Sequence, residues 1–272
     1  MKALLVHVLQ LTGGMQPIPF ADRGHGYDMF GFDPRVLAIA ARLGSLLYER
    51  YFRVRSSGIE HVPRRGAAIL AANHGGTLPL DAALIVLDVL RRTDPPRAAR
   101  PIGDVFIPLL PWVGALFTRI GMVGGARNNF RHLLENGELP LVFPEGVPGI
   151  RKGFRRRYRL EAWRVGHVEL AIRHRAPIVP AAVIGAEEAW PMIARIDAFH
   201  WFGAPYLPIP LSPLPLPVRC HIHYGEPIAL HEQFAPSDAD DPEALSAGAE
   251  RVKDAVAALI EQGRRERRGL FR

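Results

Sequence analysis

His74 and Asp81 are the residues whose types and spacing most directly suggest chemistry. His74 ends an apolar run, stands before Gly75-Gly76, and is followed by a helical pattern that carries Asp81 in its first turn. The positive end of a helix dipole favours a neutral imidazole, the form that accepts a proton. A carboxylate seven residues on can fold back across the Gly-Gly turn and hold the other ring nitrogen, as in the His-Asp half of a catalytic triad. There is no Gly-x-Ser-x-Gly, and Cys220 lies in a strand pattern elsewhere, so no protein nucleophile is evident. Such a pair would activate a hydroxyl on the substrate itself. The plainer alternative is a loop histidine beside an aspartate that complements its helix start.

Other candidates follow along the chain. Glu145 and Gly146 sit in Phe143-Pro144-Glu145-Gly146 at the end of an apolar run, where they equally suit a turn. Between Arg151 and Arg159, six of nine side chains are basic, which reads as an anion site for phosphate or a lipid headgroup, or as a solvated surface. His221 and His223 alternate on one strand face without a third ligand, so metal binding is not expected.

These residues need a scaffold. Short apolar runs (67–72, 118–123, 139–143, 178–184, 218–224) alternate with helical patterns (79–92, 127–136, 160–174, 243–262). That order predicts an α/β fold, a single domain with a mostly parallel sheet and helices on both faces. In such sheets ligands bind beyond the carboxyl ends of the strands, and Asn73-His74 and Pro144-Glu145 both fall there.

In that order, Asn73-His74 with Asp81, Phe143-Pro144-Glu145-Gly146 and Val179-Pro180 resemble the motifs of the glycerolipid acyltransferase superfamily, which includes glycerol-3-phosphate and lysophosphatidate acyltransferases. The resemblance runs from about Tyr51 to Ile228 and implies a glycerol-3-phosphate acyltransferase-like fold. It implies that His74 is the general base, that Asp81 orients it, and that the acceptor hydroxyl attacks an acyl-CoA or acyl-carrier-protein thioester. Glu145, Gly146 and Arg127 would hold the acceptor, and Pro180 would shape the pocket wall. The sequence departs from the pattern in placing six residues rather than four between His and Asp, a looped form that resembles the mono- and diacylglycerol acyltransferases. It also has Val147-Pro148-Gly149 where phosphate-using members carry Thr-Arg, so Arg151 and Lys152 are the expected substitutes. No cofactor beyond the thioester substrate is implied. The competing readings are an acyl thioesterase and a non-catalytic lipid-binding protein on the same scaffold.

The 272-residue chain has 48% hydrophobic and 22% charged residues, values that exclude a disordered or fibrous protein. Its single cysteine excludes an intrachain disulfide. A net charge of +7 favours an anionic partner, here an anionic membrane surface, while no recognition helix or aromatic platform suggests nucleic acid. Residues 35–53 read as an amphipathic helix with Val36, Ile39, Ala40, Leu43, Leu47 and Tyr51 on one side, suited to the core or to a membrane interface. Residues 198–218 carry Phe199, Trp201, Phe202 and Tyr206 ahead of a Pro-Leu alternation whose prolines exclude a continuous helix. Neither a signal peptide at residues 1–11 nor a transmembrane helix is expected. The organisation expected is an N-terminal segment with the amphipathic helix (1–53), the α/β acyltransferase domain (54–263) and a basic tail (264–272), cytoplasmic and peripheral to the inner face of a membrane.

Overall fold

The computed structural model describes residues 17–22, 24–76, 79–104, 106–198, 203–267 and 269. The expected features at residues 1–11, Phe199, Trp201 and Phe202 lie outside the described residues.

Ile69–Ala72 (β2), Leu139–Val142 (β5) and Ile178–Ile184 (β6) are buried at every position. Continuous apolar runs of this kind belong to strands covered on both faces. With Arg55–Ser57 (β1), Ala99–Gly103 (β3), Val123–Gly124 (β4) and His221–Tyr224 (β9), they form a sheet in the order β1-β9-β6-β2-β5-β3-β4. β6, β2, β5, β3 and β4 run parallel, while β9 pairs antiparallel with β6 and carries β1 parallel to itself. A separate hairpin joins Met192–Ile196 (β7) to Leu207–Pro210 (β8).

Alternate side chains of each central strand enter opposite cores. Leu70, Ala72 and Val183 face one layer with Leu37, Ala38 and Ala41 of Pro34–Leu46 (α1) and Leu84, Ile85 and Val89 of Leu80–Arg92 (α2). Ile69, Ala71 and Ile184 face the other, with Val168 and Leu170 of Gly166–Arg173 (α6) and Val252, Val256 and Ile260 of Pro242–Glu266 (α8). The mostly parallel sheet with helices on both faces is therefore present.

Several elements differ from the sequence reading. Residues 118–123, expected as a strand, are the end of the helix Val113–Arg119 (α3), a turn, and the start of the short β4. The helix expected from Leu160 begins only at Gly166, because the preceding backbone is drawn to the sheet edge: Arg164 N donates to the Pro144 carbonyl and Glu161 N to Glu145. β3 breaks the apolar rule with Arg100, whose fully buried guanidinium pairs with Asp28 at 2.7 Å and with Glu138 and lies over the Phe32 ring. In the 35–53 helix the core-facing side is Leu37, Ala38, Ala41 and Tyr48, and Leu43 and Leu47 are exposed instead. After Leu46 this helix widens into a π-helical turn, Leu47–Tyr51, and its Tyr48 hydroxyl donates to buried Asp88 of α2.

Candidate active site

β2 ends at Ala72, and the chain leaves the sheet through Asn73, whose side chain imitates a strand residue. Its Nδ2 donates to the Val183 carbonyl at 3.1 Å and its Oδ1 accepts from Val183 N at 2.8 Å. This fixes the direction in which His74 emerges.

The His74 ring stacks on Phe143, at the end of β5, with centroids 4.2 Å apart. Its Nδ1 lies 2.7 Å from Asp81 Oδ2, which also accepts from Gly75 N at 3.0 Å. Asp81 Oδ1 accepts from Ala82 N at 2.7 Å, so both carboxylate oxygens are engaged and the side chain is 1% exposed. A carboxylate only accepts, so Nδ1 carries the ring proton and the neutral imidazole presents its Nε2 lone pair outward. Nε2 has no hydrogen-bond partner among the described residues, and the His74 side chain is 15% exposed. Burial opposes protonation of His74, but the charge and hydrogen bond of Asp81, with the Glu145 charge behind it, outweigh that and raise its pKa above the usual 6.5. The arrangement is an oriented base with one free nitrogen.

Glu145 and Lys152 occupy different places from those expected for acceptor-binding groups. Glu145 is buried; its Oε1 accepts from His74 N at 3.0 Å and its Oε2 from Glu161 N at 2.8 Å. Its carboxylate ties the β5 and β2 loops together, and its side chain is fully buried. Lys152 is equally buried, with Nζ 3.3 Å from Glu145, 3.5 Å from Glu187 and 3.0 Å from the Arg159 carbonyl. Fully desolvated charges persist only when paired, and these are. Burial pushes Glu187 up to about 7, against the pull of the Lys152 charge.

Gly146 follows at φ +58° and ψ −147°, a conformation open essentially to glycine, and the space over its Cα is filled by the Arg164 guanidinium. Arg151, at the end of Val147–Arg151 (α5), points away from Lys152: it pairs with Asp197 at 3.1 Å and lies over the Tyr206 ring. It therefore braces the β7–β8 hairpin. Arg127, the first residue of Arg127–Glu135 (α4), is exposed and paired with Glu169 of α6. In the sheet, β4 is separated from β2 by β5 and β3, and the Arg127 side chain bonds to Glu169 rather than to His74, Asp81 or Glu145. Of the expected residues, the structure thus joins His74, Asp81 and Glu145, with Lys152 beneath them, and separates Arg127 and Arg151.

Three contributors were not singled out by the sequence reading. Glu187 lies just past the end of β6 in Ala186–Ala189 (α7), and a Cβ on Gly75 would overlap its carboxyl group. Gly149 of α5 packs against the dyad loop, where a Cβ would stand 3.2 Å from His74 Cβ. Arg164, exposed over Gly146, has no carboxylate partner among the described residues. A strand-end Gly185-Ala186-Glu187 and the glycine of Val147-Pro148-Gly149 were the available signals.

Residues 53–184 match the family model described as Acyltransferase. An uncharacterized protein of Mycobacterium tuberculosis is 37% identical over 258 residues, covering 91% of this chain and 72% of that protein. A human protein named DGAT1/2-independent enzyme synthesizing storage lipids is 24% identical over 210 residues, covering 76% of this chain and 61% of its own. Among solved structures, the 1-acyl-sn-glycerophosphate acyltransferase PlsC of Thermotoga maritima shares the fold at a TM-score of 0.58 and 18% identity, over 96% of this chain and 89% of that one. With its histidine and aspartate joined at the sheet edge inside the matched region, the chain carries the Acyltransferase family's domain over residues 53–184, on a fold it shares with PlsC.

Proposed function

We propose that the protein transfers a fatty acyl group from a thioester donor, acyl-CoA or acyl-carrier protein, to a free hydroxyl of a glycerolipid or lysophospholipid acceptor. The observation that carries this reading is the Nε2 of His74, on a ring held by Asp81, with no hydroxyl or thiol bonded to it among the described residues. In the reaction, Nε2 takes the proton of the acceptor hydroxyl as its oxygen attacks the thioester carbonyl. The imidazolium so formed is stabilised by Asp81. Collapse of the tetrahedral intermediate breaks the carbon–sulfur bond, and the leaving thiolate recovers the proton from Nε2.

With Arg151 and Lys152 otherwise engaged, the contact to an acceptor phosphate passes in this proposal to Arg164. Its guanidinium stands against Gly146, next to the Glu145 that holds the His74 backbone.

We also place the site at a membrane surface. Among the described residues, no helix is long and apolar enough to cross a membrane. The segment after β3 nevertheless exposes Leu109, Trp112 and Leu116, with Trp112 89% exposed, and the hairpin exposes Ile193, Ile196 and Ile209. Gly203, in the hairpin loop, lies against Phe106, so the two apolar surfaces adjoin. Large exposed apolar side chains gathered in this way mark an interaction surface.

The test is an assay with palmitoyl-CoA and acceptors presented in anionic vesicles, scored for released thiol and for acylated lipid. The proposal expects thiol release that depends on acceptor, matched by lipid product, and vesicle binding that weakens with salt. Arg164→Ala should raise the apparent KM for a phosphorylated acceptor about tenfold while leaving that for a neutral one nearly unchanged; one charge-assisted hydrogen bond of roughly 1.5–3 kcal/mol accounts for this. Thiol release indifferent to every acceptor would identify a thioesterase, and no thiol release with intact vesicle binding would identify a lipid-binding protein.

A further inference from the structure

Beyond the carboxyl end of β6, on the α8 side of the sheet, lies a cavity of about 430 Å³ that the dyad does not use. Its lining includes Arg155, Arg157, Arg159, Arg264 and Arg267, and one carboxylate residue, Glu188. That volume is in the range of small-molecule sites. The charge is unusual: among the described residues five arginines line the cavity with one carboxylate, and a second, Glu261, reaches only Arg264 from outside it.

The floor is built and fixed. Tyr158 is buried in the left-handed region at φ +63°, a conformation that costs energy for a bulky side chain and persists where the surroundings enforce it. Its hydroxyl donates to Glu188 and accepts from Gly185 N at 2.8 Å. Arg267, whose side chain is 8% exposed, donates to Glu188 at 2.7 Å, and Arg157 approaches the same carboxylate at 3.5 Å. Glu188 is consumed by these contacts. Above the floor, Arg155 and Arg159 have no ion pair among the described residues, and Arg264 meets only Glu261, at 3.6 Å, while leaning over the Tyr158 ring. Unbalanced guanidinium groups converging on one concavity repel one another and focus a positive potential that an anion relieves. Their planar forks suit phosphate oxygens, and one phosphate would satisfy only part of the set.

The cavity adjoins the site through a single short element. Glu187 and Glu188 are consecutive in α7; Glu188 faces the arginines, whereas Glu187 packs against Gly75, beside His74, and is held by Lys152. β6 and β2 are neighbours in the sheet, so the two strand ends from which the cavity and His74 arise stand side by side.

We infer that this arginine cavity binds the phosphate-rich nucleotide end of an acyl-CoA donor, leaving the pantetheine arm to cross α7 and present the thioester at His74. The inference rests on the acyltransferase reading and deepens it by choosing between its two donor classes. A concave pocket with a fixed floor fits a polyphosphate small molecule, whereas a carrier protein would dock on a convex face.

The test is calorimetric titration of the full chain with coenzyme A itself, which requires neither an acceptor nor turnover. Wild type should bind coenzyme A, inorganic diphosphate should compete, and pantetheine, which has no phosphate, should bind far more weakly. The double variant Arg155→Ala/Arg159→Ala, both exposed positions, should weaken coenzyme A binding tenfold or more and should raise KM for acyl-CoA rather than lower kcat. His74→Ala should bind coenzyme A as wild type does, so loss of catalysis and loss of this site are separable. Coenzyme A affinity unchanged in the double variant would overturn the inference. So would acyl transfer from an acyl-carrier protein by a wild type that does not bind coenzyme A, a result that would leave the acyltransferase reading intact.

Discussion

His74→Ala is expected to reduce acyl transfer by about 10²–10⁴-fold while the protein remains folded, the usual loss when a positioned general base is removed. The structure explains why the fold should survive. The Glu145 bridge is made to the backbone N of His74, which alanine keeps, and the imidazole contributes one stacking contact to Phe143 and one hydrogen bond to Asp81. Asp81 would retain its hydrogen bonds from Gly75 and Ala82. The measurement is initial-rate kinetics beside circular dichroism and thermal unfolding. A folded variant within a few-fold of wild-type activity would remove His74 from the mechanism.

Lys152→Met should act in the opposite sense, damaging stability before chemistry. Nζ is the cation between Glu145 and Glu187, and all three side chains are buried. Removing one partner of a buried ion pair leaves uncompensated charge and typically costs about 3–5 kcal/mol. Urea unfolding should show that loss, and Lys152→Met/Glu187→Gln should recover a substantial part of it by removing one of the two stranded carboxylates. A change below about 1 kcal/mol, together with a selective rise in KM for phosphorylated acceptors, would return Lys152 to the acceptor-binding role that its sequence position suggests.

The difference between Lys152 and His74 shows what the sequence made legible. His74, Gly75 and Asp81 lie within one loop and the first turn of α2, so their contact follows from local geometry. β2, β5 and β6 were equally readable, because strands buried on both faces appear as unbroken apolar runs. β3 was missed because Arg100 lies in it, and that charge is tolerable only through Asp28 and Glu138, distant in sequence. The β7–β8 hairpin was hidden by Pro208 and Pro210, which an isolated two-stranded ribbon accepts where a central strand would not. Lys152 and Arg151 are adjacent in a run of basic residues, yet one is buried under the dyad and the other braces the hairpin. Their separation depends on Glu187 and Asp197, carboxylates that arrive from the end of β6 and beyond β7. Spacing within the basic run contains no trace of them.

The central claim is that neutral His74, oriented by Asp81, removes the acceptor's proton, and the pH dependence of kcat/KM tests it most directly. A base must be unprotonated, so the rate should rise with pH through the His74 pKa. Asp81 raises that pKa, so the midpoint should lie above 6.5 in the wild type. In Asp81→Asn, which keeps the shape and removes the charge, the limb should shift to lower pH while the plateau falls. A wild-type rate flat from pH 5 to 8, or a limb that stays in place when Asp81 loses its charge, would contradict the account.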